Sequence, residues 1–176
     1  EPTDTFDFRV VKVYPDPNDE STNIDANVNS FLEFDYIHDD AINSSYAAGL
    51  IGYGELNIAS PRYRTWNGTG FSVELTALSL GTNTVDDPTW FVVKGSHERD
   101  EIIMGTEDRS NDVNIQVYNS TGGWDNKLEV STNVPNSAYR AFDIAYEDIS
   151  GNALIVYEND SVSDQRVLYR ISIAMH

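Results

Sequence analysis

The residues with the plainest chemical potential in this chain are paired carboxylates. Asp108 and Asp112 flank "RSN", Asp160 and Asp164 flank "SVS", and the two pairs stand 52 residues apart, so one loop recurs as Asp-x-x-x-Asp. Glu107 directly precedes the first pair and Glu158 stands two residues before the second. Loops of this kind can wrap a hard cation such as calcium with carboxylate and backbone oxygens. Glu107, Asp108, Asp112, Glu158, Asp160 and Asp164 therefore form the candidate metal set, with calcium as the candidate ion. The spacing is not that of an EF-hand, and the stretch about one period earlier, "ELNIASP", lacks it. The plainer account is that Asp and Asn favour tight loops. A glycosidase would need two carboxylates roughly 5 to 10 Å apart in a cleft. Among 29 acidic residues the sequence singles out no such pair.

Other chemistries are poorly represented. His38, His97 and His176 fall in no metal-ligand spacing, and "SHERDE" reads as a solvated turn entering a strand. No GxSxG, phosphate-cradling glycine loop or cysteine nucleophile is present. The serines lie in turns, where they bond to backbone. Trp66, Trp90 and Trp124 are candidates for stacking on sugars. Trp66 and Tyr118 share nearly the same place in a repeat, however, which favours packing between units. Four N-x-[ST] sequons, at Asn43, Asn67, Asn119 and Asn159, are candidate glycosylation sites, two of them in equivalent turns.

Composition bounds the partners. Twenty-nine acids against eleven bases leave a net charge of −18. That surface repels phosphate backbones and anionic lipid, so nucleic acid and membrane partners are not expected. No run approaches the about 18 apolar residues of a membrane span. A 40% apolar share with 20 aromatic residues suits a folded domain rather than a disordered chain. Absence of cysteine removes disulfides and thiol chemistry. No signal peptide is read in the sequence, and a mature chain starting at Glu1 is what cleavage would leave.

The elements that must position these residues repeat. Runs rich in Val, Ile, Tyr, Phe and Thr alternate with Gly, Asn, Asp, Ser and Pro clusters, and helical periodicity is nearly absent. First strands are "FLEFDYIH", "WFVVKGS" and "AFDIAYE", aligned on Phe34, Trp90 and Phe142. Second strands are "GLIGYGE", "EIIMGTE" and "ALIVYE", with Glu55, Glu107 and Glu158 spaced 52 and 51. Third strands are "PRYRTW", "VNIQVY" and "RVLYRI", with Tyr63, Ile115 and Tyr169 spaced 52 and 54. "FSVELTAL" and "DNKLEVST" supply a fourth strand to two units, and the third unit lacks one. Turns such as "WNGTGF", "YNSTGGW" and "EDISGNAL" carry hairpin chemistry. The expected fold is all-β: antiparallel four-stranded blade-like repeats in about three units, propeller-like or a stacked β array, with an N-terminal strand completing a sheet. The expected organisation is an arm and polar connector over 1–30, then a repeat domain over 31–176 with units near 31–86, 87–137 and 138–176.

The combination "YRTWNG…FS", "RDEI", "FDIAYE…SGNALIVYE" and "VLYR" resembles a repeat of uncharacterised secreted or surface proteins of archaea and bacteria. Tandem units of that group carry W-N-G-x-x-W-S turns and S-x-R-D-E motifs leading into strands. The likeness spans roughly residues 31 to 172; Phe71 stands where Trp is usual, and Tyr118-Asn119-Ser120 replaces W-N-G. The resemblance implies an extracellular β-propeller-like repeat and brings no catalytic residues.

Propellers close with roughly four to eight blades, and three incomplete units leave edges that invite polymerisation. "TFDFRVVKVYP" (5 to 15) is a spare strand without a counterpart in the repeat, and "PDPNDESTNIDANVN" (15 to 29) is a polar connector. The strand can clasp its own chain or add to a neighbour, with Phe6, Phe8, Val10 and Val11 filling pockets. The expected function is a non-enzymatic structural or adhesive subunit that self-associates into a ring or filament. A carbohydrate-binding module is the alternative, and a glycosidase-type propeller the weaker one.

Overall fold

The computed structural model describes residues 11–12, 19–20, 33–36, 49–67, 70–83, 85–96, 98–119, 122–135, 138–160 and 166–172. These residues form antiparallel sheets, and no helix occurs among them. The first sheet runs β3 (Glu33–Tyr36), β4 (Gly49–Tyr53), β5 (Arg62–Trp66), β6 (Leu75–Thr76). The second runs β7 (Pro88–Gly95), β8 (Ile102–Asp108), β9 (Val113–Asn119), β10 (Gly123–Ser131). The third holds β11 (Phe142–Tyr146), β12 (Ala153–Asn159) and β13 (Arg166–Ser172). Each is a meander in chain order, as hairpin-type turns between short apolar runs dictate. The expected fourth strand of the first unit shrinks to two exposed residues, Leu75 and Thr76.

Two further strands, β1 (Val11–Lys12) and β2 (Asp19–Glu20), pair with each other. The connector expected over 15–29 thus contains a strand, and the described part of the arm pairs locally instead of completing a repeat sheet. Phe6, Phe8 and Val10 lie outside the described residues.

The sheets stack. β3 and β4 pack on β7, and β7 and β8 pack on β11. The second sheet is therefore covered on both faces, which is why all seven residues of β8 are buried and why its apolar residues do not alternate with polar ones. One core joins the first two sheets through Leu50, Tyr63, Phe91, Val93, Ile102 and Met104. The other joins the last two through Val92, Ile103, Ile115, Phe142, Ile144 and Ile155.

A glycine sits at the centre of each contact. A Cβ on Gly52 would lie 2.9 Å from Met104 and 3.2 Å from the Phe91 ring. One on Gly105 would lie 2.4 Å from Phe142 and 2.7 Å from Ile144. Each glycine is thus a socket that lets the next sheet's phenylalanine approach the backbone. This geometry corrects the alignment on Trp90: the counterpart of Phe142 is Phe91. A one-residue slip puts a strand side chain on the opposite face, and Trp90 packs instead against the core beside the third sheet. β7 carries an irregularity between Pro88 and Trp90, where its register shifts.

Candidate functional site

Successive strand residues face opposite ways, and this separates the candidate carboxylates. Glu107 points toward the third sheet, where Oε2 accepts the Ala141 N–H at 2.9 Å. Its Oε1 is buried without a hydrogen-bond partner, and the residue is fully buried. Burial pushes its carboxyl up to about 7, against a smaller opposing pull from the Ala141 N–H.

Asp108 turns instead into the β8–β9 hairpin. Its Oδ1 accepts the N–H of Ser110 at 2.9 Å and of Asp112 at 3.1 Å. Asn111 completes that turn at a φ of 65°, a conformation Asn tolerates better than most residues. Burial pushes Asp108 up to about 7, with the Asp112 and Asp86 carboxylates adding to the rise and the loop N–H groups opposing it. Asp112 is raised by burial, then by Glu129 and Asp86. Asp86 is occupied by the Asn83 N–H and the Ser110 hydroxyl. Asp87, also buried, accepts Arg109 Nε at 2.7 Å and the Asn57 N–H at 3.3 Å, stapling the loops of the first two sheets.

In the third sheet the strand end that leads into the equivalent loop is tied through its backbone. Glu158 N–H donates to Ala141 O at 2.8 Å and Asp160 N–H to Asn133 O at 2.9 Å. Asp164 lies outside the described residues. Among the described residues no three His, Asp or Glu side chains converge to hold a metal ion. Of the calcium candidates, Glu107 serves a sheet contact and Asp108 a turn.

The tryptophans pack inward or on neighbours. Trp124 meets Tyr63 at 5.2 Å and 89° and Tyr118 at 5.3 Å and 61°, edge to face, between the first two sheets. Trp90 lies against the other core. Trp66 is half-buried on Phe71, ring centres 4.9 Å apart, closing the turn that Asn67 and Gly70 bind together. Of the sequons, Asn67 is exposed, Asn119 is half-buried and caps its turn through the Gly122 N–H, and Asn159 is half-buried in β12. Asn43 and the three histidines lie outside the described residues.

A cleft of about 290 Å³ opens between β10 and the third sheet, lined by Glu129, Ser131, Asn133, Tyr157, Asn159 and Arg170 among others. Among the described residues Glu129 is the one carboxylate that lines it.

The third sheet presents an edge, which its missing fourth strand announced, and a face, which the sequence did not. Among the described residues no strand pairs with the outer edge of β13. Its outward face carries exposed Leu154, Val167 and Tyr169. The sequence places Tyr169 level with Tyr63 and Ile115, but gives no sign that this one copy stays uncovered. Comparison with protein families, with curated proteins and with solved structures finds no match.

Proposed function

We propose that this chain is a non-enzymatic, blade-like β-repeat subunit that works by self-association, as a structural or adhesive component outside the cell. One observation carries the reading: the third sheet has three strands where the first and second have four, and β13 has no outer partner among the described residues. An edge of unpaired N–H and C=O groups accepts an extended segment by strand addition, with main-chain bonds supplying affinity. The donor in this reading is the segment 5–14 of a second copy. The inward packing of Trp90 and Trp124 supports the same reading, because it draws two of the three tryptophans partly away from solvent. The acidic surface, at −18, suits a subunit kept soluble until its edges meet.

The test is the mass of the full chain and of a chain lacking residues 1–14, by light scattering and electron microscopy. Oligomers or filaments for the full chain, lost on truncation with the fold retained, support strand addition. A full chain that stays monomeric at every concentration refutes it.

A further inference from the structure

The fourth strand of the second sheet carries a β-bulge where it borders the cleft. Glu129 stands opposite Asn114 and Ser131 opposite Val113, so β10 advances two residues while β9 advances one. Val130, between them, is buried in the core with Val113, Ile115 and Ile155. Glu129 and Ser131 line the cleft. Bulges of this kind re-aim side chains and are common beside binding sites.

The turn that follows is fixed from both sides. Ser131 Oγ accepts the Asn133 N–H at 3.3 Å, and Asn133 O accepts the Asp160 N–H at 2.9 Å. Val134 N–H donates to Asn111 O at 3.0 Å. The frame uses the main chain of Asn133, and the residue itself is exposed. The far wall belongs to the third sheet. Cross-strand partners share a face, so Arg170 lies on the face of its partner Ile155, the one that meets the second sheet. Ile155 and Tyr157 are buried there, whereas Arg170, on the edge strand β13, is exposed at the cleft.

The chemistry of this lining selects a ligand. Ser131 and Tyr157 bring hydroxyls, Asn133 and Asn159 bring amides, and each of these groups can both donate and accept. Glu129 adds an acceptor and Arg170 a fork of donors. A matching ligand carries closely spaced groups that also do both, which is the property of vicinal hydroxyls. One charge of each sign favours neither a cation nor an anion, and the −18 of the whole chain repels anions further. At about 290 Å³ the cleft stands at the low end of small-molecule sites, roughly 300–1,000 Å³, which suits a single ring.

We propose that the cleft between β10 and the third sheet binds the pyranose ring of a neutral sugar, with Asn133 and Arg170 as its principal contacts. The tryptophans take no part; polar side chains read the hydroxyls. The inference goes beyond self-association, because the cleft lies within one chain.

The experiment titrates the full chain with glucose, galactose, mannose and N-acetylglucosamine, followed by saturation-transfer NMR. Expected is saturable binding of at least one of the four in the millimolar range, as about a dozen non-hydrogen atoms at ordinary ligand efficiency allow. Asn133→Ala and Arg170→Ala should each weaken that binding at least about tenfold, with near-ultraviolet circular dichroism unchanged because both residues are exposed. Val73→Ala, exposed in the connection between β5 and β6, should leave it unchanged. The dissociation constant should not move between low and high salt, since the ligand is neutral. Saturation by none of the four sugars overturns the inference, as does unaltered binding by both cleft variants. Affinity that falls with salt, or binding of glycine in place of the sugars, marks a charged ligand and overturns it as well. The result is independent of the mass measurement above, so either reading can fail alone.

Discussion

Replacing Glu107 by Gln should make this protein more stable at neutral pH and remove part of its pH dependence. The carboxyl is fully buried between the second and third sheets, one oxygen bonded to the Ala141 N–H and the other unpartnered. Burial raises it from 4.5 to about 7. A carboxyl whose folded value exceeds its unfolded one makes the native state hold its proton more tightly. Its contribution is complete below pH 4.5, falls as pH rises toward about 7, and is gone above that. At about 1.4 kcal/mol for each pH unit between the two values, the loss reaches about 3 kcal/mol. Glutamine cannot ionise, and its carbonyl can still accept the Ala141 N–H. Its extra N–H faces the same dry space as the proton of a neutral Glu107, so the two proteins should be nearly equal at pH 4.5. At pH 8 the variant should be more stable by up to about 3 kcal/mol, or ~6–12 °C in melting temperature for a chain of this size. Urea unfolding followed by tryptophan fluorescence, at half-unit steps from pH 4.5 to 8.5, reads the difference directly. A stability gap that does not change with pH would refute the reasoning, as would a variant weaker than wild type at pH 8.

Asp108→Asn should act in the same direction, because that carboxyl rises from 3.8 to about 7 and the amide oxygen can still accept the Ser110 and Asp112 N–H groups. The double variant with Glu107→Gln should show little slope between pH 5 and 7 in the same urea series. Gly105→Ala puts a methyl 2.4 Å from the Phe142 ring, an overpacked contact expected to cost about 1–3 kcal/mol. Gly70→Ala, with nothing within 4 Å of the new methyl, serves as its control and should shift the urea midpoint little. Asp87→Ala leaves the Arg109 guanidinium and the Asn57 N–H without their buried acceptor. Because Arg109 is partly solvated, the expected loss is about 1–2 kcal/mol, read from the same midpoints.

The strands were legible because their signals are local. Apolar runs bounded by Asn-Gly, Ser-Gly and Gly-Asn turns fixed the meanders and their order, including the three-strand third sheet. Facing was less legible, since Trp90 and Phe91 are both large aromatics and either aligns on Phe142 within a residue. Only the sockets at Gly52 and Gly105 decide which of the two meets the neighbouring sheet. Glu107 and Asp108 were legible as residues, but their hydrogen-bond partners were not. Asp-x-x-x-Asp describes a turn that Asp108 closes on itself, while Glu107 answers to Ala141, a residue 34 positions away. No composition or spacing rule marks a pairing at that distance.

The open face of the third sheet follows from the same comparison, and it turns on a single side chain. Two successive contacts use a glycine on one sheet, a phenylalanine on the next, and a row of buried aliphatic residues beside them. At the third position the aliphatic row persists and the glycine becomes Val156. Had the face been meant for solvent, polar residues would be expected at 154, 167 and 169, since exposed apolar patches on a soluble surface are usually kept small. Had it been meant for a further unit of the same repeat, glycine would be expected at 156. Apolar surroundings with a filled socket fit neither case.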